Sequence, residues 1–479
     1  MSELEQIIDN QEDVPLVKIN SSVSLQQIYC AKCYHLFDLP PIDKENVQSE
    51  SESDTESEDS VSPIFREDIE DVEEQVLDEI ATHMQSNPLV IWRSTFERDM
   101  IKEISTFLFE EWSEDDLCED YDLPEIQDLV KRMTAYYFAT ESEMPPRQGG
   151  TPLILTPLRR ITIANKLRVL ANIHAPSQRT QEWYETRYGL LTASNAWKAL
   201  GTEAQQNQLI VEKCIPFDKF KDDCARHGNL SPDNPMAWGQ KYEPVTALIY
   251  ESKNQTRLGE YGCIVHPDWE FLGASPDGIN IDPESSVYGR MVEIKNIVNR
   301  DIDGIPLDAY WVQMQIQMEV ADLDECDFVE TRIKEYVSRE EFLESANPYK
   351  GLVATFVPRI TIDSIIKRQT QTESKPFYEY LLLNQSSVDE WVLSKKSENP
   401  DYVLSNINYW GLDQYSCVLV KRNRIWFNAA IPLMDKLWRT IEQERITGCD
   451  HRAPKKREPK ASAQVVMVNK QEPHTTHDK

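Results

Sequence analysis

The sequence lacks any apolar run near the ~20 residues that a membrane-spanning helix needs, and no basic-then-apolar leader follows Met1. Both absences predict a soluble, intracellular protein. The nine cysteines are odd in number and scattered, which excludes the regular spacing of a secreted disulfide framework. Cys30 and Cys33 have metal-ligand spacing, and His35 could add a third ligand. A structural zinc site needs about four ligands, so two ordinary thiols are the better interpretation.

Basic residues are scarce in the first 150 residues. That part holds 37 Asp and Glu against 10 Lys and Arg, a net charge of −27, while the other 329 residues carry only −5. Within it, QSESESDTESEDSV (48–61) has too little apolar surface to offset the cost of ordering. Further on, IWRSTFERDMIKEISTFLFEEW (91–112) has apolar residues at helical spacing. We predict an N-terminal segment (1–42), a disordered acidic linker (43–75) and an acidic helical subdomain (76–150).

The sign of the charge reverses after Gly150. Residues 151–200 hold seven basic and two acidic residues, and this local excess fits either a polyanion-binding patch or an ordinary helix surface. The basic residues are Arg159, Arg160, Lys166, Arg168, Arg179, Arg187 and Lys198.

The C-terminal third has mixed patterns. SCVLVKRNRIWF (416–427) predicts two strands around a turn at Arg422-Asn423, and AAIPLMDKLWRTIEQERI (429–446) predicts an amphipathic helix. The polar tail, 449–479, is predicted to be disordered, which leaves 151–448 as the main domain.

The segment MVEIKNI (291–297) has the alternation of a β-strand. Side chains two apart lie on the same face of a strand, so Glu293 and Lys295 share one face and Val292 and Ile294 share the other. An acid and an amine beside an apolar face fit a cleft. They also fit a solvent-facing strand, so this pattern is weak on its own.

The segment GASPDGI (273–279) has strong turn chemistry, because Pro presets φ and Gly accepts a positive φ. We expect Asp277 to follow a strand at Trp269–Gly273, and an antiparallel return to bring it close to Glu293. Two carboxylates and a backbone carbonyl, that of Ile294, are the hard oxygen ligands that suit Mg²⁺. Such an ion polarises phosphates and lowers the pKa of bound water. Lys295 would then orient or deprotonate that water, or stabilise the growing charge.

These residues resemble the PD-(D/E)XK nuclease signature. Three flanking segments extend the resemblance to the lambda-type phage exonucleases, also called YqaJ-like viral recombinases, and to their relatives in large DNA viruses. They are QEWYETRYGLLTAS (181–194), MAWGQKYEP (236–244) and YWVQMQIQMEV (310–320), and all four motifs stand in the family's order. The resemblance covers roughly residues 178–335. It implies an α/β (α+β) fold with a restriction-endonuclease-like core, a mixed central sheet flanked by helices, behind an acidic and mostly helical N-terminal extension.

The resemblance also implies roles for single residues. Arg187, with Thr192 and Ser194 at a helix N-cap, would hold a terminal 5′ phosphate. Glu243 would add a carboxylate to the metal site formed by Asp277, Glu293 and the Ile294 carbonyl. The segment 310–320, which we call the glutamine helix, would contribute Gln313 and Gln315 to the catalytic group that includes Lys295.

The implied function is a Mg²⁺-dependent deoxyribonuclease, with Mn²⁺ as a substitute, that degrades double-stranded DNA from 5′ to 3′ in viral recombination, replication or repair. A single-strand annealing protein is the implied partner, a ring trimer is one expected assembly, and the host cytoplasm or nucleus is the expected location. Two alternatives stay open: an endonuclease of the same fold, and a non-catalytic DNA-binding or assembly protein.

Overall fold

A computed structural model describes residues 69–114, 123–176, 180–227, 234–359, 376–382 and 387–452. The predictions for 1–68, which include Cys30 and Cys33, lie outside these residues, as do Arg179 and the tail from 453 onward.

The acidic segment folds into helices, as its apolar spacing predicts. On the first of them, Val76, Ile80 and Met84 are buried at intervals of four residues. This helix begins inside the predicted linker, so the linker prediction is wrong for residues 69–75. Whether 76–150 is a separate subdomain stays a prediction, although its buried residues join the main core cluster. The helices are α1 (Ile69–Ser86), α2 (Phe96–Glu114) and α3 (Leu123–Thr140).

Further helices precede and flank the central sheets. Their N-termini carry the expected caps: Thr156, Thr180, Thr202 and Asn234 each accept a backbone N–H from the first turn of their helix. None of the described helices is long and apolar enough to cross a membrane. In chain order they are α4 (Pro157–Ala171), α5 (Gln181–Tyr188), α6 (Ala193–Ala196), α7 (Glu203–Cys214), α8 (Phe217–His227), α9 (Pro235–Asn254), α10 (Asp308–Ala321), α11 (Arg339–Glu344), α12 (Val388–Glu398) and α13 (Arg424–Thr447).

The strands lie in two sheets, one in the order β1-β4-β3 and the other in the order β2-β5-β6-β7-β10-β8-β9. The larger sheet is mixed, because β6 and β7 are parallel while its other neighbours are antiparallel. The predicted mixed sheet flanked by helices is therefore confirmed. The strands are β1 (Leu191–Thr192), β2 (Leu258–Gly259), β3 (Ile264–Val265), β4 (Leu272–Ala274), β5 (Gly278–Asn280), β6 (Met291–Asn296), β7 (Glu325–Glu335), β8 (Lys350–Pro358), β9 (Phe377–Leu382) and β10 (Tyr402–Lys421).

The two faces of β6 pack against different helices. Val292 and Ile294 form a cluster with Tyr250 of α9, and the opposite face, with Glu293 and Lys295, lies under α10. The predicted alternation is thus confirmed. Unlike a solvent-facing strand, however, this one buries Glu293 completely.

The predicted hairpin at 416–427 is wrong in its second half. The strand β10 ends at Lys421, and α13 begins at Arg424. Asn423 caps that helix by accepting the Trp426 N–H at 2.9 Å, so the Asn that suggested a turn starts a helix instead. The helix predicted at 429–446 is confirmed within α13.

Candidate active site

Asp277 is tied to β6 by the β5–β6 hairpin. Antiparallel pairing sets Gly278 opposite Val292. This register lets the Asp277 carboxylate accept the Ile294 N–H at 2.7 Å. The predicted return of the chain therefore brings Asp277 beside the strand that carries Glu293. The contact with Ile294 is through its N–H, and the predicted role of the Ile294 carbonyl stays a prediction.

Glu293 is the centre of the site. One of its carboxylate oxygens accepts from the Lys295 ammonium, and the other accepts from Gln317 Nε2 at 2.7 Å. The same Gln317 amide also donates to the Ser275 carbonyl at 3.2 Å. Lys295 in turn lies over the Tyr310 ring, 4.9 Å from its centroid. β6 and α10 therefore hold these side chains from two sides.

Two carboxylates of this cluster, Asp277 and Glu243, have raised pKa values, and the Glu293 charge contributes to both. Burial raises the pKa of Asp277 well above its usual range, and the Glu293 charge raises it further. Glu243 of α9 is exposed, but its pKa is also raised, first by loss of surrounding water and then by Glu293. Burial alone would lower the pKa of Lys295, yet Glu293 and Asp277 outweigh it and raise that pKa above its ordinary value.

The donor chemistry of this cluster fits a hard divalent cation. No three His, Cys, Asp or Glu side chains in the described part of the chain are close enough to hold a metal ion by themselves. The cluster nevertheless offers carboxylates from Asp277, Glu293 and Glu243. It also contains Gln317 Oε1, a buried acceptor for which no donor exists among the described residues. Oxygen donors of this kind, completed by water, are what Mg²⁺ prefers.

The glutamine helix presents a different residue from the one predicted. Gln315 is buried on the far side of α10, where it donates to the Lys421 carbonyl at 2.9 Å and accepts the Asn423 N–H at 2.7 Å. It therefore ties the end of β10 to the start of α13, and the structure does not bring it to the carboxylates. Gln317 contacts Glu293 instead. Gln313 lies one turn earlier on the same face as Gln317. Because residues four apart share a helix face and residues two apart do not, the sequence could have paired Gln313 with Gln317.

We expect substitutions of Gln317 and Gln315 to have different effects, the first on activity and the second on stability. Gln317→Met removes a hydrogen bond to the Glu293 carboxylate, so the DNA hydrolysis that the sequence resemblance implies should fall about 10–100-fold. Gln315→Met leaves a buried carbonyl and a buried N–H unpaired, which should cost about 1–3 kcal/mol of unfolding free energy. Turnover on linear DNA and urea unfolding of both variants provide the test. A larger loss of turnover in Gln315→Met would contradict this assignment.

Arg187 lies at the end of α5 near this cluster. Its guanidinium rests on the Trp183 ring, 4.8 Å from the centroid, and no carboxylate pairs with it among the described residues. The strand β1, which follows α5, pairs with β4, so that Leu191 lies opposite Leu272 and Thr192 opposite Gly273. Since β4 leads directly into the turn that holds Asp277, the pairing of β1 with β4 connects the end of α5 to the carboxylate cluster.

The predicted N-cap hydroxyls lie in the same region. Thr192 occupies the cap position of α6 and makes no side-chain cap bond. Its hydroxyl lies 3.4 Å from that of Ser194, which is exposed. The α6 helix is only one turn long, so its dipole adds little, and Arg187 is the main candidate for binding an anion.

The basic stretch 151–200 is less available for DNA than its sequence indicates. Arg159 pairs with Asp324 at 3.0 Å, Lys166 with Asp322 at 3.0 Å and Lys198 with Glu212 at 2.7 Å. These local acids neutralise part of the predicted patch.

Comparison with known proteins identifies the segment that carries this site. Residues 182–324 match the YqaJ-like viral recombinase domain. This YqaJ-like segment contains Arg187, Glu243, Asp277, Glu293, Lys295 and Gln317. The resemblance read from the sequence is thereby confirmed over residues 182–324, while the roles of single residues stay predictions.

Two further comparisons cover more of the chain than the YqaJ-like segment. An uncharacterised protein of Acanthamoeba polyphaga mimivirus is 30% identical over 310 residues, which are 57% of this chain and 54% of that protein. The chain thus spans about half the length of that relative. Among solved structures, an alkaline exonuclease from Laribacter hongkongensis is 19% identical, with 56% of this chain and 94% of that one covered and a TM-score of 0.32. Its complex with dAMP gives 18% identity and a TM-score of 0.31.

Proposed function

We propose that this protein is a metal-dependent deoxyribonuclease that degrades double-stranded DNA from a 5′ end. The observation that carries the proposal is the meeting of Asp277, Glu293, Lys295 and Gln317 in one cluster, together with an Arg187 that has no acidic partner among the described residues. Its position inside the YqaJ-like segment supports the same conclusion.

In this proposal Asp277, Glu293 and Glu243 hold Mg²⁺, or Mn²⁺ in its place, and Gln317 orients Glu293. The metal supplies Lewis acidity at the scissile phosphate and a bound water of lowered pKa. Lys295 stays charged beside Glu293, so it can donate a hydrogen bond to the attacking water or to a phosphate oxygen. The Lys295 ammonium is thus better suited to orienting and stabilising than to removing a proton.

Arg187 is the basis for the proposed degradation from a 5′ end. An unpaired guanidinium on an aromatic ring can bind a phosphate through two parallel hydrogen bonds. With Thr192 and Ser194 beside it, this group would hold the terminal 5′ phosphate while the adjacent phosphodiester lies at the carboxylates.

Closed circular DNA separates the exonuclease from the endonuclease of the same fold. We expect linear duplex to be degraded in Mg²⁺ while covalently closed circles of the same sequence survive. Linearising the circle with a restriction enzyme should restore degradation, which serves as the internal control. Cutting of the closed circle at a comparable rate would favour the endonuclease.

Viral DNA recombination, replication or repair in the host cytoplasm or nucleus is the biological setting we propose, with a single-strand annealing protein as partner. The mimivirus relative supports the viral setting. Resected duplexes made by this protein should anneal faster in the presence of such a protein. No acceleration in that assay would remove the support for the partnership.

A further inference from the structure

The turn that follows Arg187 is held by two cations from outside α5. The last carbonyls of α5, those of Arg187 and Tyr188, and the Leu190 carbonyl just beyond it accept no α-helical hydrogen bond. Lys213 of α7 donates to the Leu190 carbonyl at 2.6 Å and to the Arg187 carbonyl at 3.2 Å. Arg445, in the last turn of α13, donates to the Tyr188 carbonyl at 2.7 Å.

Arg445 also fixes Lys213 itself. Its Nε donates to the Lys213 carbonyl at 2.8 Å, so one guanidinium ties α13 to both α5 and α7. Its planar face lies 4.3 Å from the centroid of the Tyr188 ring and 5.2 Å from that of Trp438. Two hydrogen bonds in a fixed fork and two ring contacts leave this side chain little freedom.

The arrangement concentrates positive charge around the candidate phosphate site. Lys213 is buried, and burial together with the charges of Arg187 and Arg445 lowers its pKa to about 8. Three cations therefore stand close together. A cluster of like charges costs folding free energy unless the helix carbonyls and a bound anion offset it.

We propose that Arg445 is a positioning residue for the DNA end: through the Tyr188 and Lys213 carbonyls it sets the turn that aims Arg187 at the terminal 5′ phosphate. The inference rests on the proposed phosphate site and adds to it a residue of α13, which lies outside the YqaJ-like segment. The C-terminal region thereby becomes part of end recognition.

Binding of blunt duplexes with a 5′-phosphoryl or a 5′-hydroxyl end tests the inference without any catalysis. Fluorescence anisotropy in EDTA gives the ratio of the two Kd values, which we call the phosphate preference. Wild-type protein should prefer the phosphoryl end about 10–100-fold, as expected for charge-assisted bonds to one phosphate. Arg445→Gln should reduce this preference about tenfold, because a small misplacement of Arg187 suffices.

Two companion variants separate geometry from charge. Arg445→Lys keeps the charge but cannot reach both carbonyls, so it should stay defective. Arg439→Gln, on the same helix and exposed with Asp435 as its partner, should behave as wild type. Full recovery of the preference in Arg445→Lys would overturn the positioning role.

A double-substitution cycle shows whether Arg445 acts through Arg187. Arg187→Ala alone should abolish the phosphate preference, and adding Arg445→Gln should lower it no further. Additive losses would overturn the inference. Lys213→Met should reproduce the Arg445→Gln defect, which covers the case in which Arg445→Gln folds poorly. If wild type, Arg445→Gln and Lys213→Met all show the same phosphate preference, only the positioning role of Arg445 is contradicted. If wild type shows no phosphate preference, the phosphate site itself is contradicted.

Discussion

Asp277→Asn should reduce Mg²⁺-dependent DNA hydrolysis by about 10³-fold, a loss of roughly 4 kcal/mol in transition-state stabilisation. The substitution is nearly isosteric, and the amide oxygen can still accept the Ile294 N–H that Asp277 accepts at 2.7 Å. What disappears is one negative charge from a cluster in which burial, Glu293 and Glu243 raise the pKa of Asp277. Initial rates on linear duplex over a range of Mg²⁺ concentrations measure the effect.

The matched control is Asp282→Asn in the same hairpin. Asp282 accepts the Glu284 N–H in the loop between β5 and β6 and has no contact with the carboxylate cluster among the described residues. Its substitution should leave the rate within about twofold, as for a surface change. Equal losses in the two variants would show that the hairpin's fold is being measured, and full activity of Asp277→Asn would contradict its place in the site.

Arg290→Met should lower the unfolding free energy by about 3–5 kcal/mol. Arg290 stands directly before β6, is 2% exposed, and pairs with Glu325 and Asp327 at 3.1 Å each. Removing the cation leaves two carboxylates buried without their partner. Because Tyr250 also donates to Asp327 at 2.7 Å, the same network ties α9 to β7 and, through Arg290, to the start of β6.

Urea unfolding followed by tryptophan fluorescence measures this loss. Arg98→Met removes an arginine that is 75% exposed and pairs with its neighbour Asp99. It should change stability by less than about 0.5 kcal/mol, since exposed pairs contribute little. If both arginine variants unfold at the same urea concentration as wild type, the buried network does not stabilise the hairpin.

Local patterns predicted the parts of the site that depend on local geometry. The alternation in 291–297 correctly predicted that Glu293 and Lys295 share one face of β6, because side chains alternate along a strand whatever surrounds it. The Ser-Pro-Asp-Gly turn gave the correct neighbourhood to Asp277.

Features that depend on tertiary partners were missed. Asn423 could equally cap a helix or form a turn, and only the packing of α13 decides between them. The choice of Gln315 over Gln317 followed the family motif, whereas the contact with Glu293 depends on how α10 is rotated over β6. Likewise, the acids that neutralise Arg159 and Lys166 are more than 150 residues away in sequence, beyond the reach of a count of local charge.

A time course on linear duplexes labelled at one end or the other tests the central claim most directly. In Mg²⁺ the wild-type protein should release the 5′ label of the degraded strand first and leave 3′ single strands, and EDTA should stop the reaction. The Asp277→Asn protein should release almost no label in the same interval. Release that is unaffected by EDTA, or equal in wild type and Asp277→Asn, would contradict a metal-dependent nuclease site at Asp277 and Glu293.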